Sequence, residues 1–159
     1  MGSSLIVIAV FAMVFAIILM IRKFLFFVVQ ISSDSMLPTL KDGQLVPAVK
    51  VRDIGQIGRN DIIVFRSEEV GGVAIKRVIG LPGDIVQVQE DGRVYINGVL
   101  KDEPYVRFHG GTSAVLNVPF RKYAVMGDNR MASKDSRHWN DPYVSFDDVE
   151  GKVLFHKND

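Results

Sequence analysis

Three short polar stretches hold the residue types from which hydrolytic chemistry is built. The first is Ser33-Asp34-Ser35, followed by Met36-Leu37-Pro38-Thr39-Leu40. Pro38 supplies no N–H and restricts Leu37 before it, so the segment is a bend rather than a helix or a central strand. A serine held in such a bend either closes a turn or presents a nucleophilic hydroxyl clear of the chain. The second stretch is Lys76-Arg77, set between Ala74-Ile75 and Val78-Ile79. In a strand, Ala74, Lys76 and Val78 share one face and Ile75, Arg77 and Ile79 the other, so one of the two cations points toward covered apolar surface. Two readings stay open for it. It is an edge lysine that discourages aggregation, or a buried lysine whose pKa falls by desolvation until its amine can take a proton from a serine. Lowering an amine from about 10.4 to roughly 7–8 costs on the order of 4 kcal/mol, which is not expected at a position without a role. The third stretch, GDNRMASKDSR at 127–137, offers two Asp–Arg pairings and several hydroxyls. As a solvated surface loop, such pairs would be worth at most about 1 kcal/mol.

The elements that must position these groups are short. Residues 61–65 (DIIVF), 73–79 (VAIKRVI) and 85–89 (IVQVQ) are rich in β-branched side chains and too short for helices. Asp91-Gly92 and Asn97-Gly98 flank 93–96 and tolerate positive φ, which predicts tight hairpins. Residues 24–31 read as a strand leading into the serine bend, and 123–126 and 152–155 as late strands. The glycine-containing stretch 109–113 reads as a mobile surface loop. The pattern is that of a small, mainly β domain.

The chain has 159 residues, enough for one domain with its own core. Its 19 Lys and Arg nearly balance 18 Asp and Glu without any block of like charge, so neither nucleic acid nor a polybasic lipid patch is indicated. It has no cysteine, which excludes disulfides, thiolate metal sites and thiol nucleophiles. His109, His138 and His156 are far apart and show no ligand spacing, so no metal and no cofactor are expected.

The one compositional anomaly is residues 5–21, an unbroken apolar run of 17. As a helix it covers about 25 Å, at the short end of what crosses a bilayer. Arg22 and Lys23 close it and can snorkel to headgroups. A cleaved signal peptide fits less well, because no basic segment precedes the run, the run is too long and no Ala-x-Ala site follows. The expectation is a permanent membrane anchor over 1–23 and a catalytic β domain over 24–159. Counting basic residues near the ends of the span puts Arg22 and Lys23 on the inner face.

Taken in order, SMLPTL at 35–40, KRVIGLPGD at 76–84 and GDNR…SKDSR at 127–137 resemble the signature boxes of type I signal peptidases. These are membrane-anchored Ser–Lys proteases that remove signal peptides from exported pre-proteins. The resemblance runs from about residue 22 to 155. It implies a small β domain of antiparallel strands behind one N-terminal transmembrane helix, with Ser35 as nucleophile and neutral Lys76 as general base. Ser33 matches the position whose hydroxyl, with the Ser35 N–H, stabilises the oxyanion; many relatives have glycine there. Ser133 matches the residue that hydrogen-bonds the lysine amine. Asp128, Arg130, Asp135 and Arg137 fall where the family builds charge pairs around the site.

Met36, Ala74 and Ile75 are expected to wall the pocket for small residues one and three before the cut. The implied partners are signal peptides of secreted pre-proteins and the lipid bilayer. Because cleavage sites emerge at the outer membrane face, the resemblance places the catalytic domain there, against the basic-residue count. Trp139-Asn140 departs from the family's usual Trp-Gly. The segment 92–118 is too short for the second β domain of some relatives, which points to the compact single-span form common in Gram-positive bacteria. A self-cleaving repressor-type Ser–Lys protease and a catalytically inactive peptide-binding β module are the alternatives.

Overall fold

The computed structural model describes residues 2–154, and within its helix the side chains of 6–20 and of Leu25. Helix α1 (Gly2–Leu25) leads without a break into β1 (Phe26–Gln30). There follow β2 (Leu45–Val49), β3 (Ile62–Ser67), β4 (Gly72–Gly80), β5 (Ile85–Val88) and β6 (Val94–Ile96). The chain then forms β7 (Val99–Leu100), β8 (Ala114–Asn117), β9 (Lys122–Met126), β10 (Val144–Ser145) and β11 (Val149–Val153). Among the described residues these strands make a seven-stranded sheet, ordered β1-β2-β11-β3-β4-β9-β10, and a four-stranded sheet, β7-β6-β5-β8. Every ladder is antiparallel.

The central strand β3 is buried on both faces from Ile62 to Phe65, because apolar side chains cover the sheet from either side. Under the serine bend lies one cluster with Met36, Leu40, Val46, Ala48 and Val64. On the opposite side Phe65, Val78, Tyr123 and Val125 form another. A third fills the join to the small sheet with Ile79, Val86, Val94 and Leu116. Gly80 sits at that join, where β4 slips register against β9. A Cβ there would come within 2.6 Å of Val86 Cγ2, so the two sheets approach as closely as they do only over glycine. The hairpins predicted at Asp91-Gly92 and Asn97-Gly98 form, with φ of 86° at Gly92, 52° at Asn97 and 83° at Gly98.

The bounds of two expected strands are corrected. The strand expected over 24–31 starts at Phe26, since α1 continues through Leu25. The last strand begins at Val149 rather than 152 and ends at Val153; Phe155 and His156 lie outside the described residues. The loop 109–113 lies on the surface as expected, where Gly110 O accepts from Arg137 Nη1 and Thr112 Oγ1 lies 3.0 Å from His138 Nε2. The anchor expected over 1–23 is a different case: α1 covers that stretch from Gly2 onward, and among the described residues no helix is long and apolar enough to cross a membrane.

Candidate active site

Ser35 sits in a single 3-10 turn, Asp34–Met36, entered from an extended Ser33. Met36 anchors the turn by burying its side chain in the core below. The Leu37–Pro38 peptide is cis. Asn129 clamps the turn from the third polar stretch: its N–H donates to Ser35 O (3.0 Å) and its Nδ2 to Asp34 O (3.1 Å). Gly127 makes this approach possible, because a Cβ at that position would overlap the Ser35 carbonyl and the Ser133 hydroxyl.

Lys76 reaches the same place from β4. Its Nζ donates to Ser35 Oγ at 2.8 Å and to the Ile75 carbonyl at 3.2 Å. Lys76 is 6% exposed, and burial pushes its pKa below the usual lysine value, while Asp135 and Asp128 oppose the shift from a distance. The Ser33 hydroxyl lies 3.1 Å from Ser35 Oγ. Its expected partner in oxyanion binding, the Ser35 N–H, lies on the same turn.

The strand alternation predicted one covered cation; both are covered. Arg77, fully buried, points to the opposite face of β4 and grips Asp128 with two bonds, Nε to Oδ1 at 2.8 Å and Nη2 to Oδ2 at 2.6 Å. Asp128 also accepts from Thr39 Oγ1, four residues past the serine. Asp128 therefore pairs with Arg77 and not with Arg130 inside its own loop. Arg130 instead donates Nε to Gly127 O and Nη2 to Glu103 Oε1 (2.8 Å). Glu103 in turn accepts from the Tyr105 hydroxyl (2.7 Å), and the Tyr105 ring lies 3.9 Å beneath the Arg77 guanidinium. Burial and Glu103 hold the Tyr105 phenol well above its ordinary range, so it stays a donor. Glu103 and Tyr105 were not singled out in the sequence, where Glu-Pro-Tyr at 103–105 carries only the signal of a proline-punctuated loop.

Asp135 and Arg137 do pair: Arg137 Nε and Nη2 reach the two carboxylate oxygens at 2.8 and 2.9 Å. Burial opposes the Asp135 charge, yet Arg137 and the Gly127 N–H outweigh it and keep the carboxyl below its usual range. This carboxylate also accepts a hydrogen bond from the Ser133 hydroxyl, at 2.7 Å. Ser133 is thus not among the hydrogen-bond partners of the Lys76 amine in the described residues, as the resemblance implied; its hydroxyl proton goes to the stronger acceptor, a buried carboxylate.

Ser35 and Lys76 open into a groove of about 540 Å³, walled by Met36, Ala74, Ile75 and Val73. A larger hollow of about 690 Å³, beside Phe65, Trp139 and Tyr143, is lined by one serine, Ser67, with no lysine or histidine beside it to act as its base. Among the described residues no cluster of His, Cys, Asp and Glu is placed to hold a metal.

Antiparallel sheets bring one hydroxyl and one desolvated amine together at the groove, the pair of groups from which the class of serine hydrolases with an amine in place of an imidazole is built. Comparison with known proteins narrows the class. Residues 4–156 match the model of the family "Signal peptidase, peptidase S26". The chain is 41% identical to a signal peptidase I of Bacillus licheniformis, covering 76% of this chain and 70% of that protein. It is 35% identical to a signal peptidase IB of Staphylococcus aureus, covering 91% and 84%. The crystal structure of an Enterococcus faecalis signal peptidase I superposes with a TM-score of 0.54 at 36% identity, covering 62% of this chain and 97% of that one. The chain belongs to the signal peptidase family, peptidase S26.

Proposed function

We propose that this chain is a membrane-anchored serine endopeptidase that removes signal peptides from exported pre-proteins, with Ser35 as nucleophile and neutral Lys76 as general base. One observation carries the reading: the 2.8 Å contact between Ser35 Oγ and an amine that burial drives toward its neutral form. Across that contact Lys76 Nζ takes the hydroxyl proton as Ser35 Oγ bonds to the scissile carbonyl carbon. The oxyanion is met by the Ser35 N–H and the Ser33 hydroxyl; a single such donor contributes about 2.7–4 kcal/mol to the barrier. Collapse expels the new N-terminus of the mature protein, which takes its proton from Lys76. The neutral amine then deprotonates the water that hydrolyses the acyl-enzyme. No carboxylate is needed behind the base, because an amine has no tautomer to fix. Asp128, Arg130, Asp135, Arg137 and Ser133 hold the loop that shapes the site. Met36, Ala74 and Ile75 accommodate the small residues before the cut.

Helix α1 is the anchor in this reading. Its large apolar residues are exposed all round, from Ile6 to Met20, as suits a helix solvated by lipid. Ser35 follows α1 by one short strand, which keeps catalysis close to the membrane surface. The catalytic domain is placed on the extracytoplasmic face, where cleavage sites emerge; protease protection in spheroplasts tests that side. The mechanism is tested by cleavage of a pre-protein in detergent with wild type, Ser35→Ala and Lys76→Ala. Either change is expected to reduce processing on the order of 10⁴-fold or more with the fold intact. Normal cutting by the Lys76→Ala form would overturn it.

A further inference from the structure

Two lysines line the groove, the buried Lys76 on its floor and the exposed Lys134 on its rim, and no carboxylate lines it. Lys134 is exposed and takes part in no ion pair among the described residues. Its neighbour Asp135 cannot neutralise it, because that carboxylate is turned inward onto Arg137 and is wholly buried. We propose that Lys134 reads the charge of the pre-protein just past the cut, favouring Asp or Glu and disfavouring Lys or Arg in the first two residues of the mature chain. The proposal rests on the Ser35–Lys76 reading above and extends it to the other side of the scissile bond.

The placement follows from how β4 is paired. On one side β3 pairs it from Gly72 to Arg77. On the other, β9 pairs only with Arg77, Val78 and Gly80. The edge from Gly72 to Lys76 is therefore open on the groove side, and an extended peptide can add to it as a further strand. With the residues before the cut seated on Ala74 and Ile75, the scissile carbonyl comes to Ser35 opposite Lys76. Beyond Lys76 the edge is taken: Met126 occupies the position opposite Arg77. The peptide must leave the sheet there, and the wall it meets is formed by Ala132 and Lys134. An extended chain advances about 3.3 Å per residue, and screening confines an exposed charge to roughly 8 Å at physiological salt, so Lys134 senses only the first residues of the departing segment.

The test uses the full-length enzyme in detergent and three peptides that differ only in carrying Glu, Gln or Lys at the two positions after the cut. Wild type is expected to rank them Glu, Gln, Lys, with steps of about two- to fivefold in kcat/KM. The ranking should flatten in Lys134→Gln, invert in Lys134→Glu, and shrink as salt is raised. Taking ratios within each enzyme form cancels any general loss of activity caused by the substitution. An unranked wild type, or the same ranking in all three forms, overturns the proposal while leaving the mechanism standing. If wild type cuts none of the peptides, or Ser35→Ala cuts them equally well, the Ser35–Lys76 reading fails and the proposal with it.

Discussion

Lys76 and Arg77 are consecutive on β4 and both are buried, yet the fold surrounds them differently. On one face Arg77 meets a carboxylate in two-pronged contact, a carbonyl (Asn60 O, 2.9 Å) and an aromatic ring. On the other face Lys76 meets a hydroxyl and one carbonyl, with carboxylates kept away from its Nζ. Guanidinium cannot be deprotonated in a protein, so burying it demands a counter-charge. An ammonium can shed its proton, and withholding a counter-charge is how a fold makes it do so. A single strand thus carries one charge fixed for structure and one made available for chemistry.

The comparison breaks most severely at Asp128. Asp128→Ala strands a buried arginine, and a loss of about 3–5 kcal/mol is expected in urea unfolding. Replacing both partners, Arg77→Met with Asp128→Leu, should recover most of it, since the uncompensated charge and not the missing bond dominates. If the double variant is no more stable than the single, the pair does more than neutralise itself.

A smaller effect of opposite sign is expected on the other face. Folding lowers the Lys76 pKa, so between its folded and unfolded values the unfolded chain binds the extra proton, and stability rises with pH. The cost is present in full below the folded pKa and vanishes above about 10.5. Lys76→Met should therefore raise the unfolding free energy at neutral pH, by about 1.4 kcal/mol for each unit of depression, and the advantage should fade in alkaline buffer. Wild-type cleavage should climb with pH through the same lowered pKa, as the amine becomes neutral. A Lys76→Met protein less stable than wild type at neutral pH would show that the amine is not held at a cost. The smallest change is expected at Ser133. Its hydroxyl serves Asp135, so Ser133→Ala should cost about 1 kcal/mol of stability and leave far more cleavage activity than Lys76→Ala.

Much of this was legible in the chain because it is local. Alternation in VAIKRVI predicted β4, and Asn97-Gly98 predicted its hairpin. What stayed hidden depends on long-range partners. Strand β2 contains Pro47, which argues against an interior strand; it is tolerated because its carbonyl faces the end of β11, where Leu154 N–H meets it, so its missing N–H falls on the same side and breaks no bond to β1. Glu103 lies 27 residues from Arg130, and nothing at either position announces the other. The pairing of Asp128 with Arg77, 51 residues away, was masked by the nearer Arg130.

Asp128 has one more bearing on the site. It holds Arg77, the residue next to the amine, and Thr39, four residues past the hydroxyl. Both arms of the dyad are thus surveyed from a single benchmark. A displacement of that benchmark carries the two arms together, and the gap between them is left almost unchanged, much as a common error cancels in a difference.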